Sequence, residues 1–131
     1  MKIPADQAAD AFRYQAAALA AVRAVRMAGE AINERCQAGG DIRECKLALR
    51  RMDEVTEQAN DDLANVSVPS SMGDIQRELR PAIDAFRRGA RTDLQGRETD
   101  DPALLEQAAI LAEQGMAGLE KVTTMLLELA R

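Results

Sequence analysis

The segment Cys36-Gln37-Ala38-Gly39-Gly40-Asp41-Ile42-Arg43-Glu44-Cys45 decides how this chain folds. Glycine adopts the left-handed conformation that ends a helix without steric cost, so Gly39-Gly40 predicts a stop. Asp41 predicts a new start, with Glu44 three residues on in capping-box position. Upstream, Ala11, Tyr14 or Gln15, Ala18, Val22, Val25, Gly29, Ile32 and Cys36 recur at spacings of three and four. Downstream, Ile42, Cys45, Leu49, Met52, Thr56, Ala59, Leu63 and Val66 do the same, broken in apolar character only by Thr56. Each series is one face of a helix. So short a connection between them leaves an antiparallel hairpin.

The second half repeats the pattern. Val68-Pro69 stops the second helix, and Ser71 with Asp74 predicts the next cap. Met72, Ile75, Leu79, Ile83, Phe86 and Ala90 form the third stripe. Pro81 falls inside it and removes a backbone hydrogen bond to residue 77, which predicts a kink or two short helices. The polar stretch from Thr92 to Pro102 reads as a loop, and Asp101-Pro102 as a helix start with proline at its first position. Leu105, Ala108, Ala112, Gly115, Leu119, Val122, Leu126 and Leu129 make the last stripe. The predicted helices cover 5–37, 41–67, 71–92 and 102–130. The expected architecture is all-α, an up-down-up-down antiparallel four-helix bundle, in one domain over 1–131.

Composition agrees. Hydrophobic residues are 47% of the chain but aromatics only 2%, so the apolar share is mostly alanine and leucine, which favour helix over strand. The formal charge of −5 disfavours a polyanion such as nucleic acid as partner. The arginine excess over lysine reads as the composition of a GC-rich bacterial genome. The longest apolar run, Ala16 to Val22, ends at Arg23 and is far shorter than the roughly 20 residues of a membrane span. Met1-Lys2-Ile3-Pro4-Ala5-Asp6 lacks the apolar core of a signal peptide, so the expected compartment is the cytoplasm, or an exported one if a signal has been removed.

From Asp61 onward, over about half the chain, the order Val68-Pro69 turn, helix, polar loop, Asp101-Pro102 helix start and Ala/Gly-rich last helix resembles uncharacterised small bacterial helical-bundle domains. Many of these are exported or lipid-anchored. The resemblance implies an architecture and an exported origin. It implies no activity and no site residue.

The chain contains no histidine, the commonest metal ligand and general base. Two-metal carboxylate bundles draw on Glu-x-x-His pairs, and a histidine-held haem needs the same residue, so no metal and no cofactor are expected. Ser67, Ser70 and Ser71 sit at a turn without a base and read as caps. No phosphate-binding glycine loop is present. No catalytic residue is expected, and the chain is not read as an enzyme.

Three features remain. Cys36 and Cys45 are equally far from the hairpin tip on inward stripes, which predicts a disulfide; the alternative is two buried thiols. Arg77, Arg80, Arg87, Arg88 and Arg91 form an outward basic stripe on the third helix, either a solvated face or a surface for an anionic partner. From Ala16 to Ala24 the first helix is apolar around its circumference, more than one inward stripe requires, and Ala17, Ala20 and Ala24 mark the candidate interaction surface. The leading expectation is a non-catalytic protein-binding module acting on another protein or through self-association, a homodimer included. The alternative is a small-ligand sensor or carrier, with a pocket opened by Pro81 and lined by Ala108, Ala112 and Gly115.

Overall fold

The computed structural model describes residues 7–129. Helices α1 (Ala8–Arg35), α2 (Ile42–Ala64), α3 (Gly73–Glu98) and α4 (Pro102–Leu129) follow one another, with a 3-10 turn at Ser70–Met72 leading into α3. No strand occurs among the described residues. Successive helices pack side by side with alternating direction, which is the expected up-down-up-down bundle. The expected helix start at Ala5 and end at residue 130 lie outside the described residues.

The inward stripes meet as the spacing requires, except at Ile42, which is 49% exposed at the start of α2, and at Ala112. Tyr14, Val25, Leu49, Met52, Leu63, Met72, Leu79, Ile83, Leu119 and Val122 are fully buried. Each leucine-sized side chain taken out of water stabilises by about 1.5–3 kcal/mol. Thr56, the polar member of its stripe, is buried because its Oγ1 donates to the Met52 carbonyl at 2.8 Å. The Tyr14 hydroxyl donates to Gln76 Oε1 across the bundle. Burial pushes that phenol up to about 12, with Arg80 pulling weakly the other way, so it stays a neutral donor.

The turns depart from expectation in three places. Gly39 takes the left-handed region at φ 83°, but α1 has already ended at Arg35 with Cys36 as its cap. Asp41 caps α2 as expected, accepting from the Arg43 amide at 2.9 Å. Ser71 does not cap α3: it lies within the 3-10 turn, its Oγ is buried without a partner, and Asp74 pairs with Arg77 instead.

The stretch from Thr92 is helix as far as Glu98, not loop. Leu94 is half-buried there, Arg97 pairs with Asp93 one turn back, and Gly96 is buried against Leu104 and Leu105. Gly96 is thus a point of close approach between α3 and α4. The real stop is at Asp100, which takes φ 51°, while the Asp101 amide donates to the Gly96 carbonyl at 2.9 Å. That bond spans the last turn in the manner of a Schellman motif, with aspartate where glycine is usual. Asp101 then caps α4 by accepting from the Ala103 amide at 3.0 Å.

Pro81 does not divide α3 into two helices; the helix runs continuously through it. Its ring is on the exposed face, where water can satisfy the carbonyl that loses its partner.

The closest pair of helices is α3 and α4. A Cβ built on Gly115 would fall 2.6 Å from Phe86 Cδ2, and one on Gly118 would fall 2.7 Å from the Ala82 Cβ. Ala82, Ala85 and Gly89 on α3 are buried along with Ala108, Leu111 and Gly115 on α4. The buried line of α4 therefore passes through Leu111, and Ala112, expected inside, is exposed.

Gly29 and Gly115 both lie on inward stripes but differ in room. A Cβ at Gly29 would meet Phe86 Cε1 at 3.6 Å, an ordinary contact. Gly29→Ala is therefore expected to stabilise by about 0.5–1 kcal/mol, the helix-propensity gain. Gly115→Ala is expected to destabilise by about 1–2 kcal/mol net, because Phe86 must be displaced from a packed core. Urea unfolding followed by circular dichroism measures both; equal effects of the two substitutions would contradict this packing.

Candidate functional site

The tight α3–α4 pair leaves α1 on the far side. α1 packs along α2 but meets α4 over little of its length. Arg26 Nη2 donating to Thr123 Oγ1 at 3.4 Å is the one side-chain hydrogen bond joining α1 to α4 among the described residues. Above that level the two helices part. A groove of about 670 Å³ opens between the C-terminal part of α1 and the N-terminal part of α4. Met52, Phe86 and Ala90 lie at its floor, Gly29, Ile32 and Cys36 along one wall, Ala108, Ala112 and Met116 along the other. Asn33, Gln37, Glu113 and the Asp93–Arg97 pair form a polar rim. An apolar floor with a few polar groups at the lip is the usual makeup of a binding cleft.

This groove is not the pocket that the sequence suggested, although it shares Ala108 and Ala112 with it. Gly115 does not line it, being closed off by Phe86. Pro81 has no part in it and borders a smaller hollow of about 410 Å³ between α3 and α4.

Cys36 and Cys45 meet at the upper end of the groove. Their sulfur atoms are 2.10 Å apart, at disulfide distance, and their Cα atoms 4.6 Å apart, inside the range that a disulfide spans. Cys45 is buried and Cys36 half-buried. The pair ties the end of α1 to α2 where α4 gives it no support.

The basic stripe of α3 is largely neutralised in place. Arg87 and Arg91 reach Asp53 of α2, at 3.1 and 2.6 Å; Arg77 pairs with Asp74, and Arg88 lies 3.9 Å from Asp84. The Arg91 hydrogen bond, with Arg87 adding to it and burial opposing, holds the Asp53 carboxyl below the usual aspartate range. Of the five arginines only Arg80 has no ion pair among the described residues. Arg87 and Arg91 thus join α2 to α3, while Arg77, Arg80 and Arg88 remain exposed on α3.

A second surface lies on the outer face of α1. Phe12 is 74% exposed, Leu19 40% and Met27 69%, and Ala16, Ala20 and Ala24 are exposed between them. At 100° per residue, Phe12, Ala16, Leu19, Ala20, Arg23 and Met27 share one face, directly opposite Tyr14, Ala18 and Val25 in the core. α1 is therefore apolar on both sides. Other exposed apolar side chains, such as Leu47, Ile110 and Leu127, are dispersed over α2 and α4.

Of the three alanines singled out in the sequence, Ala20 belongs to this surface, Ala24 is exposed but lies about 90° round the helix from its centre, and Ala17 is half-buried against the core. Phe12, Leu19 and Met27 were not picked out, because large apolar residues are expected inside. The signal was available: once the inward line through Ala11, Ala18 and Val25 is assigned, these three are left over at helical spacing on the other side. No family model, curated protein or solved structure matches the chain.

Cys36 and Cys45 are expected to be bonded in protein purified without reductant. Intact mass before and after reduction checks this, since bonding removes two hydrogens. In the chain-entropy model, closing a loop of ten residues stabilises by roughly 2.7 kcal/mol. Reduction should lower stability by up to that amount and leave the helical spectrum intact. Ready alkylation of both thiols in the native, unreduced protein would contradict the pairing.

Proposed function

We propose that this protein is a non-catalytic binding module that engages another protein chain through the outer face of α1. The observation that carries the reading is the exposed line Phe12, Ala16, Leu19, Ala20 and Met27. A single exposed apolar residue is ordinary, but an apolar line along one helix face, interrupted here by Arg23, is the composition of a contact surface. Phenylalanine and methionine are also among the residue types enriched at the centres of interfaces. The two small residues among them, Ala16 and Ala20, let a facing helix approach closely. Cys36 and Cys45 at bonding distance support an oxidising, exported compartment.

A second reading draws on the groove. Its volume of about 670 Å³ is in the range of small-molecule sites, and its apolar floor would suit a carrier of a small apolar molecule.

One experiment tests both. A photo-reactive amino acid is placed at position 12 or 27, at Ala112 on the groove wall, and at Glu120 on the exposed side of α4 as control, in the organism that makes the chain. Discrete protein adducts at 12 and 27, absent at 120, are expected. Absence of adducts at 12 and 27, or the same adducts at 120, would overturn the protein-binding reading. A small-molecule adduct at 112, with no protein adduct at 12 or 27, would put the carrier in its place.

A further inference from the structure

We infer that the occupant of the α1 face is a second copy of this chain, with the two α1 helices antiparallel about a two-fold axis at the level, along α1, of Ala21 and Val22, which themselves face the core. The inference rests on the reading of α1 as a binding surface and adds the partner and its register.

The charges along the face select this arrangement. Arg23 and Glu30 are exposed and have no ion pair among the described residues, and Arg13 has only a loose 3.8 Å contact with Asp10. A parallel, in-register pair would set Glu30 against Glu30 of the second copy and Arg13 against Arg13, and like charges so placed repel. Arg23 comes near Arg23 of the second copy in either arrangement, about 4.5 Å apart along the axis in the antiparallel one. The antiparallel pair about Ala21 and Val22 sets Arg13 against Glu30 of the second copy, twice by symmetry. In the same register Phe12 falls beside Met27 and Ala31 of the second copy, Leu19 falls opposite Ala24, and Ala20 opposite Arg23. Leu19 thus faces a small residue, and Phe12 packs between a small one and Met27. The aromatic ring of Phe12 lies where it can contact the Met27 sulfur, a favourable pairing. The Arg23 stem covers alanine while its guanidinium reaches solvent.

Sedimentation equilibrium over a wide concentration range, with crosslinking, tests the proposal on the full chain. The wild type is expected to be a dimer. Arg13→Glu and Glu30→Arg should each weaken the dimer about tenfold, since two symmetric pairs are reversed in each. The double variant Arg13→Glu/Glu30→Arg should recover most of the loss, an outcome that simple misfolding of either single variant cannot produce. With Ala20→Cys the two introduced thiols lie about 5 Å apart along the axis and should be joined by a short bis-maleimide. With Phe12→Cys they lie roughly 28 Å apart along the axis and should not be.

A wild type that stays monomeric at every concentration overturns the proposal, as does crosslinking at position 12 or a double variant no better than the singles. If the monomer nevertheless forms adducts with a different protein from positions 12 and 27, the second copy is wrong and the binding reading stands. If neither occurs, both are wrong.

Discussion

The contact of Phe86 with Gly115 sets the shape of this bundle. The ring sits where a side chain on Gly115 would have to be, and Gly118 takes the Ala82 methyl in the same way. Two helices can approach so closely only where one of them has no Cβ. The consequence is asymmetric. α4 is drawn onto α3 along its length, and what it gains there it gives up on the side of α1.

Other features of the molecule follow from that asymmetry. α1 is held mainly by α2, and above Arg26 little of α4 remains beside it. The gap becomes the groove, with Met52 and Phe86 at its floor. The Cys36–Cys45 link is at the end of α1 that lacks this support, where a covalent tie restrains most. On the opposite edge, Asp53 with Arg87 and Arg91 joins α2 to α3. The helix least embraced by its own bundle is also the one with an apolar outer face, and this is the physical basis for reading α1 as the surface that a partner completes.

The bundle was legible in the sequence because its signals are local. Spacings of three and four, Gly39-Gly40, Asp41 and Asp101-Pro102 each act within a few residues, and they fixed number, order and direction of the helices. The stretch from Thr92, read as a loop, misled for the complementary reason: what holds it as helix, Gly96 against Leu104 and Leu105, lies across the helix pair. Glycine marks both a helix stop and a close approach, and only the position of Leu105 across the helix pair distinguishes the two. Ala112 was placed inside on periodicity alone, but Gly115 and Gly118 turn α4 so that Leu111 is buried in its stead. The basic stripe of α3 looked outward because Asp53, which neutralises part of it, is more than thirty residues away along the chain. On α1, the surplus of apolar residues was evident, but which of them faced solvent depended on knowing where α2 lay. Ala17 turned inward and Phe12, Leu19 and Met27 outward.

Native-state hydrogen exchange tests the central claim, that tight α3–α4 packing leaves α1 the loosely held member. The account predicts the slowest amides in α3 from Ala82 to Ala90 and in α4 from Ala108 to Leu119, opening only with global unfolding. Amides of α1 from Gly29 to Arg35 should exchange through smaller openings, and faster again once Cys36 and Cys45 are reduced. Protection of α1 equal to that of α3 and α4 in the reduced protein would contradict the account.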